Sequence, residues 1–210
     1  MKKTEVIVLA AGKGTRMRSN EPKVLQMLGG RSLLDHVLGA VRGATPSRIY
    51  VVYGHGGDAV RRMTLGDDIN WVQQEPQLGT GHAVSQVMPS VDPAANVLVV
   101  YGDVPLVQTQ TLVRLVEAGE SGRLALLTSV LPDPTGYGRI IRDDRGELQE
   151  IVEEMDASDE QIAISEINTG FIAAPAALIC DWLAHASDAN AQREYYFTDV
   201  VRFAVAAEVP

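Results

Sequence analysis

The chain has 210 residues, 46% of them hydrophobic and 21% charged, and a formal net charge of −9. That length suits one large domain, or a domain with a small lobe. The composition argues against disorder, and the acidic balance argues against a nucleic-acid surface. A single cysteine, Cys180, excludes an internal disulfide and points to a reducing, cytoplasmic setting. No stretch is long and apolar enough to span a bilayer, the N-terminus lacks the apolar core of a signal peptide, and four scattered histidines with one cysteine make no zinc pattern.

In chain order, the apolar run Val6-Ile7-Val8-Leu9 reads as a short buried strand of a parallel sheet. Arg31 to Val41 carries apolar residues at 33, 34, 37, 38 and 41, a helical stripe. Ile49 to Tyr53 is a second strand, after which Asp58 is placed to cap a helix running to about Met63. Trp71 to Gln74 is a third strand, and Thr80 to Met88 a helix ended by Pro89. Val97 to Tyr101 is a fourth strand. Leu112, Leu115 and Val116 share a helical face, and Leu124 to Leu131 is a fifth strand. This alternation predicts an α/β fold, a parallel sheet with helices on both faces.

The rhythm changes after Pro132. Arg139–Arg142 and Leu148–Glu153 flank Asp143-Asp144-Arg145-Gly146, a hairpin signal. Residues 154 to 161 are acidic and expected to be exposed, and Ile167 to Ala173 is another strand. Pro175 suits the first turn of a helix through Ala184, within which Cys180 is expected to be a core thiol. Thr198 or Asp199 is placed to cap a last helix, Val200 to Ala207.

The candidate site residues follow predicted strands. After the first comes Leu9-Ala10-Ala11-Gly12-Lys13-Gly14-Thr15-Arg16-Met17, where small residues let a ligand lie on the backbone. Residues 12 to 24 hold four cations (Lys13, Arg16, Arg18 and Lys23) against Glu21, which on an acidic chain suggests a pocket for a phosphorylated ligand; a tight turn with solvated lysines is the alternative. Met17 stands where a dinucleotide fingerprint needs a third glycine, and Lys13 is followed by Gly14 rather than Ser or Thr, so neither that fingerprint nor the ATPase phosphate loop is present. Tyr101-Gly102-Asp103 ends the fourth strand. A carboxylate there, facing a phosphate loop, is an apt Mg²⁺ ligand, and a turn or cap aspartate is the alternative. Gln74 can pair with a nucleobase edge. Gly79 and Gly81 allow close approach, and Thr80 is placed to cap the helix. His82, with nothing nearby to orient it, reads as a capping or packing residue, and Tyr195 and Tyr196 as lobe-packing residues.

Together these residues resemble the sugar-nucleotide pyrophosphorylases. The loop with Pro22-Lys23 looks like that superfamily's signature. Gln74, Leu78-Gly79-Thr80-Gly81-His82-Ala83, Tyr101-Gly102-Asp103-Val104-Pro105-Leu106, Gly136-Tyr137-Gly138-Arg139-Ile140, Glu166-Ile167-Asn168-Thr169-Gly170 and Glu194-Tyr195-Tyr196-Phe197-Thr198-Asp199 narrow the resemblance. From Glu5 to about Ala207 the chain is similar to the uridylyltransferase domain of the bacterial bifunctional N-acetylglucosamine-1-phosphate uridylyltransferase/glucosamine-1-phosphate acetyltransferases.

The resemblance implies a Rossmann-like, mostly parallel sheet of the nucleotide-diphospho-sugar transferase type with a small β-rich sugar-binding lobe. It divides the chain into a nucleotide-binding part to about 131, the lobe over about 132–174 and C-terminal helices over 175–210. It implies transfer of UMP from UTP to N-acetylglucosamine 1-phosphate, giving UDP-N-acetylglucosamine and pyrophosphate. Leu9, Ala10, Ala11, Gly12, Gln74, Gly79 and Thr80 would hold uridine. Arg16 would grip the triphosphate and Lys23 the α-phosphate, and Asp103 would bind Mg²⁺. Gly138, Glu153 and Asn168 would hold the acetylated sugar, with Tyr101 and Gly102 lining the pocket. The family's second metal ligand, an asparagine after the final helix, and its β-helix acetyltransferase domain are not in this sequence, so a homotrimer is expected only for a full-length relative. A nucleotide-sugar-binding module without turnover, and a transferase with another base or sugar, are the competing expectations.

Overall fold

The computed structural model describes residues 3–12, 14, 21–54 and 56–210. In chain order its elements are β1 (Thr4–Leu9), β2 (Met27–Leu28), β3 (Arg31–Ser32), α1 (Leu33–Gly43), β4 (Arg48–Tyr53), α2 (Gly57–Met63), β5 (Ile69–Gln73), α3 (Thr80–Val87), β6 (Asn96–Tyr101), α4 (Thr109–Ala118), β7 (Ala125–Val130), β8 (Arg139–Arg142), β9 (Leu148–Val152), α5 (Asp159–Ile162), β10 (Glu166–Pro175), α6 (Ala176–Ala184) and α7 (Asp199–Ala206). Short 3-10 turns cover Lys23–Leu25, Met88–Ser90 and Glu154–Asp156.

An eight-stranded sheet runs in the order β5-β4-β1-β6-β10-β8-β9, with β7 paired to β10. Side chains alternate across each strand, and both faces are covered, which is why these strands read as continuous apolar runs. Ile7 and Leu9 of β1, with Val97 and Val99 of β6, pack against α3, α6 and α7 through Val84, Val87, Ile179, Trp182, Val200 and Val201. Val6, Val8, Leu98 and Val100 face the other way, onto Leu34, Val37, Leu38 and Val41 of α1, Val60 of α2, and Leu112 and Leu115 of α4.

The half of the sheet formed by β5, β4, β1 and β6 is parallel. β10 enters beside β6 antiparallel, and its pairings with β7 and β8 are antiparallel too. The strand expected at Leu124 to Leu131 therefore exists as β7, but it belongs to the antiparallel half. The hairpin β8–β9 forms the small β-rich lobe as a continuation of the same sheet.

Several local expectations give way to other interactions. α2 starts after Gly56, which takes a left-handed conformation (φ 76°), and no side chain caps it, so Asp58 is a first-turn residue rather than the cap. Pro175 closes β10 and is the N-cap of α6. Cys180 is exposed, because α6 buries Ala176, Ile179 and Trp182 and the thiol falls on the opposite side of the helix. No helix among the described residues is long and apolar enough to cross a membrane.

Candidate active site

β1 is the switch point of the parallel half: β4 lies on one side of it and β6, reached later in the chain, on the other. Open α/β sheets bind ligands beyond the strand C-termini at such a point. The ladder extends one residue past each strand. Ala10 N donates to Val52 O (2.8 Å), Gly102 N to Leu9 O (2.9 Å) and Gln74 N to Tyr53 O (2.8 Å). Ala10, Gly102 and Gln74 thus share one edge.

Within the first loop the structure sorts residues that the sequence treats alike. Leu9 and Ala10 are 7% and 6% exposed, with Leu9 O and Ala10 N committed to the sheet. Ala11 O accepts from Gln77 Nε2. At Gly12 no described atom lies within 4 Å of where a Cβ would stand. Gly14 (φ +58°) is crowded by its own chain: a Cβ there would meet Lys23 Cβ at 2.8 Å. The close approach of Lys23 and the positive φ both favour glycine there. Arg16, expected to grip the triphosphate, lies outside the described residues.

Lys23 opens the 3-10 turn anchored by buried Val24 and Leu25. Its Nζ lies 2.6 Å from Asp103 Oδ2, so the expected phosphate cation and the expected metal ligand meet at the mouth of the sheet. Gly102 holds Asp103 close to the core, since a Cβ there would lie 3.2 Å from Leu34 Cδ1 and 3.3 Å from Leu9 O. Asp103 fits Mg²⁺ as a lone, partly covered carboxylate. No group of three His, Cys, Asp or Glu gathers among the described residues, and Mg²⁺ commonly takes one or two carboxylates with substrate phosphates completing its shell.

The nucleotide-side turn differs in detail from expectation. Gln74 is 4% exposed; its Nε2 donates to Gly79 O (2.8 Å) and lies 3.1 Å from His82 Nδ1. Only its carbonyl oxygen remains for a base, and His82 does have an orienting neighbour. Burial pushes the His82 imidazole below its ordinary pKa, which keeps it neutral. Gly79 (φ 108°), not Thr80, is the N-cap of α3, while the Thr80 hydroxyl accepts from Phe197 N at 3.0 Å. What approaches the two glycines is the chain itself. A Cβ on Gly79 would lie 2.6 Å from Tyr195 O and one on Gly81 3.0 Å from it. Tyr195 N donates to Leu78 O (2.8 Å) and Gly81 N to Tyr195 O (2.7 Å), so the packing expected of Tyr195 is a backbone pairing. Beyond β4 and β5 lies a cleft of about 530 Å³ lined by Tyr53, Gly54, Gly56, Gly57, Asp58, Arg61 and residues 73–77; neither Lys23 nor Asp103 lines it.

The lobe residues are linked to one another and, through Gly170, to Tyr101 at the end of β6. Asn168 N donates to Gly138 O (2.8 Å), and Asn168 Oδ1 accepts from Gly170 N (2.8 Å). The β10–β7 register shifts between Asn168 and Ile172, and Gly170 (φ +84°) sits in that irregularity directly against the Tyr101 ring. A Cβ on Gly138 would lie 3.0 Å from Ile151 Cγ2 and 3.3 Å from Glu153 Oε2. Burial raises the Glu153 carboxyl above its ordinary range, opposed by a hydrogen bond from Thr198, with Asp156 and Asp199 adding to the rise. Burial, with Glu153 nearby, also raises the Tyr101 hydroxyl, so it remains a neutral phenol.

Sequence reasoning passed over two supporting residues, Gln77 and Arg139, and gave a third, Thr198, only a capping role. Gln77 ties the 76–79 turn to Ala11. Arg139 is 1% exposed and reaches Tyr137 O, Ile162 O (3.3 Å) and Glu154 Oε1 (3.3 Å), while Glu154 Oε2 accepts from Gly136 N (2.6 Å). Thr198 bonds Glu153. All three stand inside or beside quoted motifs; for Gln77 and Arg139 that position was the only signal.

A mostly parallel sheet with a lysine–aspartate pair at its switch-point edge and a β-hairpin continuing its antiparallel half defines an α/β protein of the Rossmann-like type. Residues 6–194 match the MobA-like NTP transferase domain, and the chain belongs to that family. It is 54% identical over 200 residues to the bifunctional protein GlmU of Pseudomonas syringae pv. syringae, covering 95% of this chain and 44% of that protein. It is 52% identical over 206 residues to the bifunctional protein GlmU of Stenotrophomonas maltophilia, covering 98% and 45% respectively. The chain thus spans about half the length of these relatives. Among solved structures, a UDP-glucose pyrophosphorylase complexed with UDP-glucose shares the fold (TM-score 0.76, 16% identity, 99% of this chain and 88% of that one). HddC from Yersinia pseudotuberculosis complexed with GMP-PN does too (TM-score 0.67, 20% identity, 94% and 84%).

Proposed function

We propose that this chain is an Mg²⁺-dependent uridylyltransferase. It joins UTP and N-acetylglucosamine 1-phosphate to give UDP-N-acetylglucosamine and pyrophosphate, in the cytoplasm, as a step towards bacterial cell-wall and lipopolysaccharide precursors. The nucleotide part runs to about residue 131, the sugar-binding lobe covers about 132–174, and the C-terminal helices close the site. The observation that carries this reading is the meeting of Lys23 and Asp103 at 2.6 Å on the switch-point edge; in the lobe, Asn168 is bonded to Gly138 and Thr198 to Glu153. Similarity to the GlmU proteins supports the same reading.

The sugar phosphate is already an anionic nucleophile, so no covalent enzyme intermediate is needed. Its oxygen attacks the α-phosphorus of UTP, the bond to the bridging α–β oxygen breaks, and pyrophosphate leaves. The protein's work is alignment and charge neutralisation. Ala11 and Gly12, the Gln74 carbonyl and the Gly79–Thr80 turn border the nucleoside. Lys23 offers its ammonium to the phosphate that changes hands. Glu153 accepts from a sugar hydroxyl, and the Asn168 NH2, which donates to no described residue, is available to the sugar. Asp103 would hold Mg²⁺, which when bound neutralises phosphate charge.

The test is pyrophosphate release with UTP, N-acetylglucosamine 1-phosphate and Mg²⁺, omitting each in turn. Release that needs all three is expected. Faster turnover with GTP, CTP or dTTP would overturn the uridylyl assignment, and UDP-N-acetylglucosamine binding without any turnover would make the chain a binding module. Asp103→Asn is expected to cut the rate on the order of 10²-fold or more with an unchanged circular dichroism spectrum; an unaltered rate would remove Asp103 from the metal site.

A further inference from the structure

Thr198 occupies the N-cap of α7, where a threonine hydroxyl ordinarily accepts from a backbone amide of the first turn. Here it makes no such bond, and its backbone is already helical (φ −62°, ψ −21°). The side chain turns the other way, and Oγ1 donates to Glu153 Oε1 at 3.1 Å. Thr198 is 5% exposed and Glu153 half-buried, so this bond is partly shielded from water.

Glu153 has few friendly neighbours. It is disfavoured as an anion by burial and by the carboxylates of Asp156 and Asp199. The hydroxyls of Tyr101 and Tyr196 also lie within its field. No lysine or arginine among the described residues pairs with it. The Thr198 hydroxyl is the one donor recorded to its side chain among the described residues, and it takes only one oxygen. The other, Oε2, faces Gly138, 3.3 Å from where a Cβ there would stand.

Thr198 is itself held from the nucleotide side. The residue before it, Phe197, donates its amide to Thr80 Oγ1, and Tyr195 is paired with Leu78 and Gly81. The segment 194–198 therefore spans from the nucleotide turn to the lobe carboxylate.

We propose that Thr198 is a positioning residue for the sugar: by engaging Glu153 Oε1 it fixes the carboxylate with Oε2 free to accept from a hydroxyl of the N-acetylglucosamine moiety. The inference rests on the function proposed above and deepens it.

The experiment compares Thr198→Val, which keeps the shape and loses the hydroxyl, with Thr198→Ser, which keeps the hydroxyl. Calorimetry reads the affinity of each, and of the unsubstituted chain, for UDP-N-acetylglucosamine and for UTP with Mg²⁺. Thr198→Val is expected to weaken UDP-N-acetylglucosamine about tenfold, the scale of one lost hydrogen bond to a charged group, with UTP affinity changed by less than about twofold. Thr198→Ser is expected to stay within about twofold for both. Unchanged UDP-N-acetylglucosamine affinity in Thr198→Val would overturn the inference. So would equal weakening of both ligands, or a serine variant as weak as the valine one. Thr198→Ala serves as the second hydroxyl-free variant if Thr198→Val does not fold. The unsubstituted chain reports on the parent reading: UTP binding without UDP-N-acetylglucosamine binding would overturn the function and this inference together, whereas failure in the variants alone overturns only the role of Thr198.

Discussion

Gly12 and Gly170 look alike as letters, and the structure gives them opposite duties. Around Gly12 nothing described lies within 4 Å of a Cβ position, whereas at Gly170 a Cβ would enter the Tyr101 ring and φ is +84°. Gly170→Ala should therefore cost about 1–3 kcal/mol through overpacking and left-handed strain, read as a lower urea midpoint at constant slope. Gly12→Ala should leave the midpoint within roughly 0.5 kcal/mol and act on ligand affinity instead; the reverse ranking would mean the two glycines are misassigned. The same distinction explains what could be read in advance at this scale. Asp103 and Lys23 announced themselves by charge after an apolar strand. The commitments of Gln74 Nε2, Thr80 Oγ1 and Thr198 Oγ1 did not, because each is bonded to a partner whose position only the folded chain sets.

Among the elements, β10 does the joining: its C-terminal half pairs with β6, its N-terminal half with β8, and β7 pairs with both halves. Apolar runs and turn residues revealed the strands of both halves. The antiparallel placement of β7 was not legible, since it depends on a partner some forty residues downstream and β7 follows α4 just as a parallel strand would. At the start of β10, Glu166 takes a two-pronged grip from Arg142 of β8 (Nε to Oε2 and Nη2 to Oε1, both 2.8 Å). That hydrogen-bonded pairing holds the Glu166 carboxyl below its ordinary range. A lowered carboxyl pKa adds stability above the unfolded-state value, about 4.3, and the gain is lost as pH falls through the folded-state value. Glu166→Gln should thus lower stability at pH 7 by at most about 1 kcal/mol, because the arginine is partly solvated. The gap to the parent chain should close as the pH is taken below about 4. Urea titrations at the two pH values measure it, and a gap that persists in acid would assign the loss to packing rather than charge.

For the molecule as a whole, the parallel half supplies Lys23 and Asp103, the antiparallel half supplies Gly138, Glu153 and Asn168, and residues 194–198 lean on both. A ligand carrying both a nucleotide and an amino sugar would contact both halves, whereas UTP would contact the parallel half most fully. Binding to the folded state alone adds stability as RT ln(1 + [L]/Kd), about 2.7 kcal/mol at a hundredfold excess over Kd. For a chain of this size, that corresponds to a rise of roughly 5–10 °C in Tm. UTP and UDP-N-acetylglucosamine, each at a hundredfold excess over its own Kd, should therefore raise Tm by similar amounts, because the shift depends on occupancy. Where they should differ is in which amides become protected from hydrogen exchange. UDP-N-acetylglucosamine should slow exchange in β8, β9 and the N-terminal half of β10, while UTP should slow exchange chiefly around residues 10–12 and 79–81. If both ligands protected the same amides, the β8–β9 lobe would have no part in holding the sugar, and Glu153 and Asn168 would lose their proposed roles.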